Sequence, residues 1–169
     1  MKKSMEEQAK QSKRYPWIAA HRGGPLSLSE RQQLISWARE CVEHVLHLLG
    51  GEADSRILDA LSTAKDWENG NLSTGICMKK SLGAHAAARA SVSEIHQAIA
   101  RAAGQAVATA HMADHSLGGA FYALKAIKLA GLDLVTEKQW QADRLSALPE
   151  HLQLLIRETW QAKKLDERI

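Results

Sequence analysis

Histidines are the residues of this sequence with the clearest capacity for chemistry. The chain holds eight of them, and histidine both titrates near neutral pH and binds metal ions. His111 and His115 are four residues apart, a spacing at which two imidazoles on a continuous helix can bind zinc, with Asp114 as an orienting group. Asp114 is also a good N-cap, and a helix that begins there would break this spacing. The sequence contains no H-E-x-x-H pattern and no assignable third ligand, so we predict no metal and no other cofactor.

A second pair of histidines, His44 and His47, is three residues apart within a predicted helix. At 100° per residue, His44 borders the apolar face of this helix on the side of Trp37, whereas His47 faces solvent. Because the two rings diverge, this pair is not expected to share a metal ion.

A polar patch is predicted where the fourth and fifth helices meet. His115 and Tyr122 are seven residues apart and therefore share one face of the fifth helix, with Lys125 near them. One interpretation is a recognition surface. The other is that His115 and Tyr122 satisfy each other and nearby carbonyl groups at a buried helix crossing. The candidate binding residues are His44, Arg101, His111, Asp114, His115, Tyr122 and Lys125.

Motifs typical of enzymes are missing from the sequence. There is no glycine-flanked serine elbow and no pair of carboxylates with a reason for a raised pKa. Gly23-Gly24 and Gly50-Gly51 are too short and isolated to form a phosphate-binding loop. We therefore predict no catalytic residue and no enzymatic activity.

Helices must position all of these residues. The chain contains 27 alanines and 21 leucines but only five valines, a balance that favours helix over strand. The expected fold class is all-α, a compact bundle of about six to seven helices with the alanine-rich third and fourth helices at its centre. The predicted helices are Ser29 to Leu49, Asp54 to before Gly70, Ser73 to about Ala90, Ser91 (capping box with Glu94) through Ala110, Asp114 to Gly131, one from Thr136, and one from Pro149.

Charge divides the chain into two parts. The formal net charge of +3 comes entirely from residues 1–16, and the remaining residues are neutral overall. We predict that residues 1–27 form a basic N-terminal segment and irregular connection, and that residues 28–169 form a single helical domain. Because the helical part gathers no excess of basic residues, no nucleic acid partner is expected. Cys41 and Cys77 are expected to be buried thiols.

Neither a membrane span nor a signal peptide is visible in the sequence. The apolar runs are only a few residues long, and no apolar stretch follows the lysines near the N-terminus. We therefore expect a cytoplasmic protein without a membrane partner.

Three short motifs follow one another along the chain: Cys-x-x-His at 41–44, Ala-Thr-Ala-His at 108–111 and Tyr-x-x-Lys-Ala at 122–126. In this order they resemble the immunity-five-like family of immunity proteins from bacterial polymorphic toxin systems, and the resemblance covers residues 28 to 160. The resemblance implies a non-catalytic cytoplasmic protein that binds and neutralises a cognate toxin. It implies no established functional residues.

Two other hypotheses remain open from the sequence. The main alternative is a metal-binding or histidine-dependent helical enzyme or regulatory bundle centred on His111, Asp114 and His115. A further possibility is a helical homo-oligomer with a self-complementary exposed face.

Overall fold

Seven α-helices of 12 to 17 residues account for most of the computed structural model, which describes residues 4–5, 13–51 and 53–169. This confirms the all-α prediction. Across the described ranges there is no β-strand, only an isolated bridge between Ala19 and Leu26. The helices are α1 Leu28–Glu43, α2 Ser55–Glu68, α3 Thr74–Ala90, α4 Glu94–Ala108, α5 His115–Leu129, α6 Leu134–Leu145 and α7 Glu150–Ala162.

The alanine-rich helix α4 lies at the centre of the bundle. It packs against α1, α2, α3 and α5, and its most extensive neighbour is α5. Ala102, Ala103 and Ala106 are fully buried on it, which lets neighbouring helix axes approach closely. Helix α3 packs on α2 and α4 and leaves its other face exposed, where Leu82 is 70% accessible. The central position predicted for the fourth helix is therefore confirmed, whereas the third helix lies at the edge of the bundle.

Helix α1 begins and ends earlier than predicted. Its N-cap is Ser27 rather than Ser29, and Ser27 forms a capping box with Glu30: Ser27 Oγ accepts a hydrogen bond from the Glu30 amide at 3.1 Å. The helix ends at Glu43, and a short 3-10 helix, Leu46–Leu49, replaces the predicted last turn. In this geometry the carbonyl of Leu49 lies 3.1 Å from His96 Nε2, which ties the turn to α4.

Two other helix starts also differ from the prediction. The N-cap of α4 is Ser93, whose hydroxyl accepts from the His96 amide, so the predicted capping box of Ser91 with Glu94 is wrong. Asp133 caps α6, which begins at Leu134 rather than at Thr136 as predicted. In both cases the observed cap lies two or three residues from the predicted helix start, and its oxygen atom can accept from the first free amides of the helix equally well. The path of the backbone decides which residue becomes the cap.

The segment before α1 packs onto the bundle through Trp17. Trp17 is buried, and its indole Nε1 donates to Thr159 Oγ1 on α7 at 3.2 Å. The chain then closes a tight loop in which a Cβ on Gly24 would lie 2.0 Å from the carbonyl oxygen of Ile18. Of the basic residues in this segment, Lys2, Lys3 and Lys10 lie outside the described residues. Arg14 pairs with Asp114 at the start of α5, and Arg22 is exposed beside the turn that precedes α5.

Both thiols are buried and free, as predicted. Burial raises the pKa of Cys77 to about 11 and also raises that of Cys41. Among the described residues, no helix combines the length and the apolar character needed to cross a bilayer.

Candidate functional site

The junction between α4 and α5 separates the two histidines that could have shared a metal. Helix α4 ends at Ala108 and α5 begins at His115, so His111 lies in the turn between them. The two imidazole rings are tilted by 50° with their centroids 5.3 Å apart. The helix break that the sequence left open is therefore present, and the i, i+4 zinc geometry is not formed.

Asp114 occupies the N-cap position of α5, as predicted, but its side chain does not cap the helix. Both carboxylate oxygens instead accept from Arg14 Nη2 at 3.2 Å, and Lys163 Nζ lies 4.0 Å away. Asp114 thus joins the N-terminal segment and the C-terminal helix α7 to the start of α5.

His115 is held by Gln105 of α4. His115 Nδ1 lies 2.8 Å from Gln105 Oε1, and burial lowers the pKa of His115 below its ordinary value. The Gln105 side chain lies directly over Gly118, where a Cβ would come within 2.5 Å of Oε1. The glycine thus makes room for the glutamine, which orients the imidazole.

A groove of about 410 Å³ opens beside these residues. We call it the basic groove, because four cations and a single carboxylate, Asp114, line it among the described residues. Its floor includes Phe121 and Tyr122, whose rings meet edge to face with centroids 5.1 Å apart. The lining cations are Lys13, Arg14, Lys163 and Arg168.

A smaller cavity of about 220 Å³ lies on the far side of His111. We call it the arginine cavity, because Arg22 and Arg31 line it together with His111, and no carboxylate does so among the described residues. Its other walls are apolar side chains and backbone, including Trp17 and Met112. His111 therefore borders this cavity rather than the basic groove.

The predicted site residues are thus only partly brought together. Asp114, His115 and Tyr122 line the basic groove, and His111 touches His115. Arg101 is exposed on α4 and Lys125 half-buried on α5, and neither lines the groove or the arginine cavity.

His44 lies at a separate place, beside α6. Its Nδ1 is 2.7 Å from Glu137 Oε1, and its ring stacks on Trp140 with centroids 3.7 Å apart and planes inclined by 5°. His47 Nδ1 contacts the His44 carbonyl rather than the His44 ring, so the predicted divergence of these side chains is observed.

Metal ligation has little support in this geometry. Within the ranges that the structure describes, no three histidine, cysteine, aspartate or glutamate side chains are grouped so that they could hold a metal ion. What the junction offers is charge pairing, hydrogen bonding and aromatic contact.

Several residues of this region were missed by the sequence analysis: Arg14, Arg22, Arg31, Gln105 and Lys163. For Arg31 a signal existed, because it is spaced three, four and seven residues from Leu34, Ile35 and Ala38, which are all buried on α1. A cationic residue at a position that belongs to the apolar face of a helix is unusual enough to indicate a candidate binding site. The others depend on contacts between distant segments.

Comparison with known families adds an independent finding. Residues 24–148 match the family model described as "Imm-5 like putative immunity protein". No curated protein and no solved structure matches the chain significantly. The match includes His111, Asp114, His115 and Tyr122, whereas Arg14 and Lys163 lie outside it. Since the match extends over most of the chain, this protein belongs to the Imm-5 like family of immunity proteins.

Proposed function

We propose that this protein is a non-catalytic cytoplasmic immunity protein that binds and neutralises a cognate bacterial toxin of a polymorphic toxin system. Family membership is the observation that carries this proposal. An inhibitor of this kind acts through its surface, by covering or distorting the toxin. It requires complementary shape and charge rather than a reaction centre.

The basic groove is the surface that we propose for the toxin. Among the described residues that line it, Asp114 is the one carboxylate, and both Arg14 and Lys163 pair with it, so the four cations leave an excess of positive charge for a partner. Tyr122 and Arg168 are residue types that are enriched at the energetic centres of protein interfaces. This composition suits an acidic segment of the toxin that also carries an apolar or aromatic side chain.

Coexpression with the toxin encoded by an adjacent gene tests the proposal. The protein should restore growth and form a complex of fixed stoichiometry, measured by light scattering after size-exclusion chromatography. The same measurement on the protein alone reports any homo-oligomer. Failure both to rescue growth and to form a complex would contradict the proposed function.

Charge reversal tests the proposed surface separately. Lys163→Glu combined with Arg168→Glu should weaken toxin binding strongly, because opposite-sign patches become like-sign patches. Lys65→Glu combined with Lys79→Glu, at exposed positions of α2 and α3 that do not line the groove, is the matched control and should bind as the wild type does. Equal binding by the groove variant and the control would place the toxin elsewhere on the molecule.

A further inference from the structure

Two buried arginines on helix α1 have opposite environments. Arg39 is 8% exposed and is paired with Glu43 at 2.7 Å and with Glu68 at 3.1 Å. Burial acts to lower its pKa, but hydrogen bonds and charges from the two glutamates outweigh burial and raise it. Arg39 is therefore an ordinary buried cation whose charge is compensated within the protein.

Arg31, two turns earlier, has no such compensation. It is 7% exposed, and among the described residues no carboxylate approaches it within ion-pair distance. Burial lowers its pKa, and the nearby charge of Arg22 lowers it further. A buried guanidinium beside a second guanidinium is unfavourable unless something supplies negative charge.

The contacts of Arg31 hold its guanidinium in place but leave donors available. Its Nη2 donates to the Ala110 carbonyl oxygen at 2.7 Å, and the guanidinium lies over the Trp67 ring at 5.3 Å from the centroid. Nε and Nη1 make no hydrogen bond to any described residue. The stacking and the carbonyl bond fix the plane of the group, so the remaining N–H groups are oriented before any ligand arrives at the cavity that Arg31 lines.

His111 also lines this cavity, and it carries a ring nitrogen that is closed to solvent. Its Nδ1 is buried and has no hydrogen-bond partner in the described part of the chain. Buried polar atoms without a partner are rare in folded proteins, since each one costs free energy. In the tautomer with the proton on Nδ1, the imidazole is a donor, like both arginines.

We propose that the arginine cavity binds one compact oxyanion of phosphate or carboxylate chemistry, with Arg31, Arg22 and His111 as its ligands. All three groups can donate hydrogen bonds to an anion, and no acidic side chain among the described residues of the cavity competes for these donors. Arg22 is exposed and stands at the entrance, where it can attract an anion from solvent.

The size of the cavity limits the ligand. At about 220 Å³ it is smaller than the pockets of roughly 300 to 1,000 Å³ that hold cofactors and drug-sized molecules. It can accommodate a phosphate group or a single acidic side chain with accompanying water. This inference does not rest on the proposed function, because it requires no toxin.

Titration of the purified full-length protein with inorganic phosphate, and separately with acetate, tests the site. The ring proton signals of His111 report binding in NMR spectra and are assigned by their loss in His111→Asn. The buffer contains chloride at constant ionic strength. We expect a saturable shift of the His111 signals at millimolar phosphate or acetate, while the signals of His44, which lies beside α6, stay unchanged.

Arg22→Ala provides the decisive variant, because Arg22 is exposed and its removal leaves the packing of the bundle intact. Loss of one charged donor should weaken anion affinity by about tenfold or more. Arg157→Ala, an exposed arginine on α7 that is bonded only to Gln153 among the described residues, is the matched control and should bind as the wild type does.

The outcomes separate the two sources of the oxyanion. Binding of phosphate without acetate assigns a phosphate group, and binding of acetate assigns a carboxylate such as an acidic side chain of a partner. The proposal is overturned if neither probe shifts the His111 signals at tens of millimolar, or if Arg22→Ala binds as tightly as the control. Neither result bears on toxin neutralisation.

Discussion

Replacing each of the two buried arginines of α1 by methionine should have different effects on stability. Methionine is a long, flexible apolar side chain that can fill most of the arginine volume. Arg39→Met leaves Glu43 and Glu68 without their partner, and removal of one member of a buried pair costs up to about 3 to 5 kcal/mol. The two glutamate side chains are 40% and 23% exposed and can be hydrated, so we discount this to about 2 kcal/mol.

Arg31→Met should cost far less. It removes one hydrogen bond from a charged donor to Ala110 and the contact with Trp67, which together are worth about 2 to 4 kcal/mol. It also removes an uncompensated buried charge, whose desolvation penalty is of similar size and opposite sign. We therefore expect a net change near zero in a buffer without phosphate or carboxylate anions.

Urea unfolding followed by circular dichroism measures this contrast. With an m-value of about 2 kcal/mol per molar, a loss of about 2 kcal/mol lowers the midpoint by about 1 M, so Arg39→Met should unfold about 1 M earlier than Arg31→Met. Equal losses in the two variants would refute the reasoning, because Arg31 would then be compensated as fully as Arg39.

Three further predictions address the helices and the histidines. Ser27→Ala removes the capping box of α1 and should lower the free energy of unfolding by about 1 kcal/mol, whereas an unchanged thermal midpoint would show that the cap is dispensable. Gly83→Ala, where a Cβ meets open space within α3, should stabilise the protein by up to about 1 kcal/mol. Gly104→Ala, where a Cβ would lie 2.7 Å from the ring of His85, should destabilise it by about 1 to 2 kcal/mol. Thermal melts that rank the two variants in the reverse order would contradict the packing argument. Burial lowers the pKa of His85 and of His115, so the unfolded chain binds more protons below about pH 6.5 and stability should fall as the pH decreases through that value. The urea midpoint of His115→Gln should depend less steeply on pH in this range, and a slope equal to that of the wild type would exclude His115 as a contributor.

The fold was largely predictable because the apolar period is regular. Alanine and leucine recur at three and four residues, so the number and order of the helices follow from the pattern. Helix ends were less predictable, because Ser27 and Ser29, or Ser91 and Ser93, offer the same hydroxyl to the first amides. Only the path of the neighbouring chain selects between them.

The candidate site was predictable only where its residues are close in sequence. Asp114, His115 and Tyr122 were identified from spacing along one helix, and the structure places them on one groove. The pairing of Asp114 with Arg14 joins residues 100 positions apart, and no local pattern encodes such a contact. His44 was grouped with the patch on residue type alone, and its ring instead lies on Trp140.

The hydrogen bond from Trp17 to Thr159 joins the segment before α1 to helix α7, near the start of α5. Both ends of the described chain lie outside the family match of residues 24–148, yet they provide Arg14, Lys163 and Arg168, three of the cations that line the basic groove. A fragment trimmed to the matched region would keep the central helices and lose both walls of the groove. Residues outside the matched region therefore supply the positive charge of the groove, whereas the matched helices supply its imidazole and the rings of Phe121 and Tyr122.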